Sequence, residues 1–225
     1  MRLDYYFAGD LFDHKDLIGN HLLADSVMRG SGGIYRALLP QSGECEVRPD
    51  ALEIRDADYE LLLHARLALF NFDGPDLDSG TVAEFMAARM LDIPSLLLRT
   101  DFRSGGDQMS GGSSSEAQQR RDPWNLMCSG YPRTRVLIYP AMTRYQKAFQ
   151  GENDLENALK SFYGDLAAKI IRSFDELMKI PPLLDTKEKT ETAVRMFLSM
   201  CGPSLEKRFN ERKIQKILSC RFPRG

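Results

Sequence analysis

At 225 residues the chain is long enough to bury a substantial core, as one domain with an appendage or as two small ones. A formal net charge of -2 gives no electrostatic reason to expect nucleic acid or an acidic membrane as a partner. The apolar runs are too short to span a bilayer, and MRLDYYFAGD lacks the apolar centre of a signal peptide, so a cytoplasmic location is expected.

Leu3 to Phe7 is a short β-prone run, and Ala8-Gly9-Asp10 after it reads as a tight strand-to-helix loop. A helical pattern starts at Asp13 and ends at Gly30-Ser31-Gly32-Gly33. Tyr35 to Leu39 is a second strand, and Pro40 to Pro49 a loop. Asp58 stands where an N-cap would, ahead of a helix over Tyr59 to Ala65. The stretch LFNFDGPDLDSGTVAE, residues 69–84, then carries most of the chemistry. An apolar strand, Leu67 to Phe72, breaks at Asp73-Gly74-Pro75, passes Asp76 and Asp78, and enters a helix over Ser79 to Met90. In an open parallel sheet, ligands collect beyond the carboxyl ends of strands, where helix N-termini present unpaired N–H groups. Several carboxylates in such a loop repel phosphate and suit a neutral substrate.

Ser95 to Leu98 is a fourth strand, and the alternation of strand and helix predicts a parallel sheet covered on both faces. Residues 104–122, rich in Gly, Ser and Gln, read as a flexible loop. Arg135 to Tyr139 is a fifth strand; beyond it the chain reads as helical, with a break at Pro181-Pro182 and a last helix over Ser204 to Leu218. The expected organisation is an α/β catalytic unit over 1–150 and a helical extension over 151–225.

The four cysteines make no CxxC pair and no ligand spacing with the three histidines, so neither a metal site nor a disulfide framework is expected. Taken singly, the polar residues have plain readings. Glu84 is a helix glutamate, Tyr6 a core aromatic, Asp73 and Asp76 turn residues, Met127 packing and Asn125 a loop residue. Arg99, Asp101 and Arg103 could simply lock their loop by ion pairs.

Their joint order changes that reading. YYFAGDLF, RDADYELLLHARLALFNFDG, DSGTVAE, LRTDFR and the later NLM, in this order, resemble the nucleoside 2-deoxyribosyltransferase family over roughly residues 3–140. The resemblance implies a flavodoxin-like (Rossmann-like) five-stranded parallel sheet with helices on both faces. It makes Glu84 the nucleophile, Asp78 the acid that helps protonate the departing base, Asp58 a support for base binding, and Tyr6 the hydroxyl that holds the nucleophilic carboxylate. The same motifs add Gly9, Asp10 and Gly80 as substrate-binding positions. Asn125 and Met127 correspond to residues that reach a neighbouring subunit's site, which implies a homodimer or larger assembly acting on deoxynucleosides and free nucleobases, with no cofactor and no metal.

The chemistry is coherent. A 2-deoxyribosyl C1′ has no 2-hydroxyl to withdraw electrons, so a carboxylate can capture it as a glycosyl ester. The departing base needs a proton, and an incoming base then attacks the same carbon with net retention. Hydrolysis of a deoxynucleoside or of a nucleoside 5′-monophosphate, with water as acceptor, is the alternative, and Ser79 beside Asp78 keeps the monophosphate version open. A non-catalytic nucleoside sensor is a third reading, disfavoured by the joint presence of Glu84, Asp78 and Tyr6.

Overall fold

The computed structural model describes residues 2–43, 50–101 and 124–222. The expected flexible loop at 104–122 and Arg103 lie outside the described residues. Five strands, β1 (Leu3–Ala8), β2 (Tyr35–Leu38), β3 (Leu67–Asn71), β4 (Ser95–Arg99) and β5 (Thr134–Ile138), form one sheet in the order β2-β1-β3-β4-β5. Every pairing is parallel, with Tyr5 opposite Leu67, Ala68 opposite Ser95 and Leu96 opposite Arg135. This is the flavodoxin-like order, in which the direction of winding reverses between β1 and β3. The expected fold class is the observed one.

Side chains alternate along each strand, so the sheet has two apolar faces. Tyr5, Phe7, Leu67, Leu69, Leu96 and Leu98 face α1 (His14–Gly30) and α5 (Leu155–Leu177), where Leu23, Val27, Ile170 and Phe174 complete a buried cluster. Tyr6, Ala8, Ala68, Phe70 and Leu97 face the other way, toward α2 (Ala51–His64) and α3 (Ser79–Met90). Burial on both faces explains why β3 and β4 read as continuous apolar runs.

The helices after residue 150 close both faces. Helix α5 covers the first, while α6 (Lys187–Cys201), α7 (Pro203–Arg208) and α8 (Glu211–Arg221) add Val194, Leu205, Ile214 and Ile217 to the second cluster. Two expectations about helices need correction. Asp58 is not an N-cap: the helix begins seven residues earlier at Ala51, with Asp50 as the cap and the Glu53 carboxylate accepting from the Asp50 N–H at 3.2 Å. The single helix expected over Ser204 to Leu218 is two, because Asn210 turns the chain and caps α8 by accepting from the Lys213 N–H at 3.0 Å.

Candidate active site

The strand order places the ends of β1 and β3 side by side, and the loops leaving them build a cleft of about 200 Å³. Gly9, Phe12, Asp58, Asp78, Gly80 and Glu84 are among its lining residues. Each arrives by a local cause. Tyr6 points from β1 to the α3 face by strand alternation, and its hydroxyl donates to Glu84 Oε1 at 2.7 Å. Asp78 is the N-cap of α3: its Oδ2 accepts from the Thr81 N–H at 2.7 Å and from Thr81 Oγ1 at 2.8 Å. Glu84 lies six residues further along the same helix. Asp58, mid-helix in α2, is free of capping duty and lines the cleft from the opposite wall.

The two glycines are there for space. A Cβ at Gly9 would come within 3.0 Å of Asn71 Cβ, and one at Gly80 within 3.1 Å of Asp78 Oδ2. A side chain at either position would displace the end of β3 or the cap of α3.

The floor of the site is pinned from outside. Asp73 Oδ1 accepts from the N–H groups of Thr100 at 2.5 Å and Asp101 at 2.8 Å, its Oδ2 accepts from Thr100 Oγ1 at 2.6 Å, and Arg99 donates to the Phe72 carbonyl. Asp101 Oδ2 in turn accepts from the Gly74 N–H at 3.3 Å. Asp73 is therefore more than a turn residue: it clamps the loop that carries Asp78 to the end of β4.

The carboxylates share one poorly solvated space, and their protons register it. Burial lifts the Glu84 carboxyl to about 7; the Tyr6 hydrogen bond opposes the rise, while Asp58 and Asp78 add to it. Burial lifts Asp58 to about 6. Asp10 is raised by burial and then by the charges of Asp78, Asp16 and Asp73. Tyr6 is held protonated, by burial first and then by Glu84 and Asp58, so it remains a donor to the carboxylate. Near neutral pH the cluster therefore holds a proton that isolated carboxyls would have lost.

The structure brings Tyr6, Gly9, Asp58, Asp78, Gly80 and Glu84 together. Asp10 is adjacent: its backbone carbonyl accepts from Asn20 Nδ2 at 3.2 Å, while its carboxyl senses Asp78. Asn125 and Met127 lie elsewhere, lining a second cavity of about 510 Å³ with Ser79, Val82 and Arg99. Asn125 Oδ1 accepts from the Met127 N–H at 2.9 Å, and Met127 is 66% exposed. Sequence reasoning passed over Phe12, Pro40 and Thr81, all of which line the cleft. It also passed over Asn71, whose Oδ1 is buried without a hydrogen-bond partner among the described residues, at the end of β3. The available signal was positional: loops after β1 and β2 of a parallel sheet end at the same rim.

No family model matches the chain, and no curated protein matches it. Among solved structures it aligns with a conserved protein from Enterococcus faecalis V583 at 22% identity and a TM-score of 0.44, over 80% of this chain and 98% of the other. A 2-deoxyribosyltransferase from Leishmania mexicana aligns at 19% identity and a TM-score of 0.43, over 72% and 97%. The 2-deoxyribosyltransferase of the psychrotolerant bacterium Bacillus psychrosaccharolyticus aligns at 24% and 0.37, over 44% and 74%. At these values the chemistry of this chain rests on its own residues.

Proposed function

We propose that this protein transfers a 2-deoxyribosyl group between nucleobases by a retaining double displacement through a glycosyl ester of Glu84. The observation that carries the reading is the 2.7 Å hydrogen bond from Tyr6 to Glu84 inside a cleft walled by Asp58 and Asp78. A carboxylate that serves only structure has little need of a buried phenol aimed at one oxygen while its other oxygen remains free for a ligand. The Tyr6 bond orients Glu84 and favours its ionised form, which is the nucleophile.

The acid function falls to the aspartates. Asp58, lifted by burial to about 6, lies close enough to neutral pH to pass a proton to the departing base. Asp78 is fixed through Oδ2 by Thr81, so its second oxygen presents an oriented contact for the base. The two share the task that sequence reasoning gave to Asp78 alone. The C1′–N bond breaks as Glu84 bonds to C1′, the base leaves with the proton, and an incoming base reverses both events. Ser79, which kept the monophosphate reading open, faces the neighbouring cavity with Asn125 and Met127 rather than this cleft. Asn125 and Met127 would complete the cleft of a second subunit in a homodimer or larger assembly; the exposure of Met127 leaves it available for that contact.

The test is incubation with deoxyinosine or thymidine, with and without free adenine. A new deoxynucleoside is the expected product. Free deoxyribose alone would assign hydrolysis instead, and ligand binding without turnover would make the protein a sensor.

A further inference from the structure

At the amino-terminal edge of the same sheet lies a different kind of cavity. It measures about 150 Å³ and is lined by Arg66 before β3, Asp92 and Pro94 before β4, Arg133 before β5, and Thr190 and Arg221 from α6 and α8. Among the described residues, Asp92 is the only carboxylate in that lining. Its charge is already answered: Oδ2 lies 2.7 Å from Arg133 Nη1 and accepts from the N–H groups of Leu183 at 2.7 Å and Leu184 at 3.0 Å. Three guanidinium groups against one carboxylate leave an excess of two positive charges.

These cations are short of partners as well as of counter-charge. Arg66 Nη1, Arg133 Nε and Arg221 Nη2 are buried with no hydrogen-bond acceptor among the described residues, and the Arg133 side chain is only 10% exposed. Arg221 spends one bond on the Leu91 carbonyl at 2.8 Å. Burial, then the neighbouring Arg66, push Arg221 down to about 10, which still leaves it charged at neutral pH. Asp92 and Arg133 have φ of 53° and 52°, the only described non-glycine residues in the left-handed region, and they are ion-paired to each other across the cavity. Buried unpartnered donors and like-charge crowding at one spot are costs that a bound anion would offset.

We propose that Arg66, Arg133 and Arg221 form a binding site for a phosphate group, at the opposite end of the sheet from Glu84. The space corresponds to roughly five water volumes, enough for one phosphate but not for a whole nucleotide without its base emerging at the mouth. Planar guanidinium forks match the oxygens of a phosphate, and the three unpaired N–H groups supply the donors. Because the lining joins the strands to the 178–184 loop, α6 and α8, the anion would fasten the helical C-terminal part to the sheet.

Thermal unfolding of the full chain is measured in chloride and in inorganic phosphate at equal ionic strength and pH, with adenosine 5′-monophosphate as a third arm. The expected result is a saturable rise in Tm with phosphate beyond that with chloride. The Arg66 side chain makes no hydrogen bond among the described residues, and its backbone N–H bond to the Asp4 carbonyl survives substitution, so Arg66→Met folds with an equal or higher Tm in chloride and binds phosphate at least tenfold more weakly. Arg221→Lys, which keeps the charge but loses the fork, also binds more weakly. Tighter binding of the nucleotide than of inorganic phosphate, lost in Arg66→Met, identifies a nucleotide phosphoryl group as the ligand; equal binding identifies free phosphate. Three results overturn the proposal: no difference between chloride and phosphate, a phosphate effect retained in full by both arginine variants, or an effect kept in Arg66→Met and lost in Glu84→Gln, which would put the anion in the acidic cleft.

Discussion

The two ends of the sheet are charged oppositely and handle the charge by different means. At the carboxyl end, Asp58, Asp78 and Glu84 crowd one cleft; at the amino end, Arg66, Arg133 and Arg221 crowd another. Carboxyl groups answer burial by keeping protons, which is why Glu84 rises to about 7 and Asp58 to about 6, the charges of Asp58 and Asp78 adding to the rise at Glu84. Guanidinium groups have no such release at neutral pH, so the basic end needs a carboxylate or an external anion. The same crowding leaves raised carboxyl protons at one end and unanswered positive charge at the other.

The sharpest break in this picture would come from Glu84. Glu84→Ala is expected to lower transfer by about 10³-fold or more, the scale of removing a nucleophile, with no loss of Tm, since the variant deletes a buried member of a like-charged cluster. Wild-type turnover in that variant would end the assignment. At the other end, Asp92→Ala removes the group that ties Arg133 to the N–H groups of Leu183 and Leu184. It should cost about 3–5 kcal/mol in urea unfolding, because three partly buried guanidinium groups are left without any carboxylate. A loss below about 1 kcal/mol would mean that the arginines are well solvated.

Smaller effects separate the ends by pH. Glu84 has a folded value of about 7 against an ordinary 4.5, so the folded state holds its proton more tightly than the unfolded one. The stability this supplies is complete below pH 4.5 and is lost as pH rises through 7, by about 3 kcal/mol. Glu84→Gln should flatten the slope between pH 5 and 8, measured as unfolding free energy, whereas Arg66→Met should leave it intact. Tyr6→Phe removes the one hydrogen bond that lowers the Glu84 value. The acid limb of its kcat/KM profile should therefore move to higher pH, with a loss on the order of tenfold at pH 6 and less at pH 8. A uniform loss across pH would make Tyr6 a packing residue only.

The acidic end was legible in the sequence because its parts are local. Asp78, Gly80 and Glu84 fall within seven residues, and the strand-loop-helix pattern fixes where such a segment must sit. Asp58 was placed in the right helix but at the wrong position. The first turn of α2 shows no core-facing pattern, since Leu52 and Ile54 are about half exposed, and the Asp50 to Glu53 capping signal was masked by the preceding polar loop. The role of α5 was hidden for a different reason: its apolar stripe shows an amphipathic helix but not which sheet face will receive Phe174 and Ile170. The basic end was invisible. Arg66, Asp92, Arg133 and Arg221 are far apart in the chain, and each occupies a loop or helix terminus where a lone charged residue is ordinary.

The smallest expected effect divides the two ends most cleanly. In phosphate-free buffer Arg66→Met should change stability by less than about 1 kcal/mol, and in the stabilising direction. The side chain makes no hydrogen bond among the described residues, faces Arg133 and Arg221 across a confined space, and has its Nη1 buried without a partner. Methionine keeps an apolar stem in the cavity wall that Ile93 and Pro94 also line, while removing the charge. A buried arginine that served the fold alone would behave in the opposite way, costing several kcal/mol on removal whether or not phosphate is present. A positive shift in chloride that turns negative in phosphate is therefore the signature of a cation kept for a ligand, and equal losses in both buffers would return Arg66 to the scaffold.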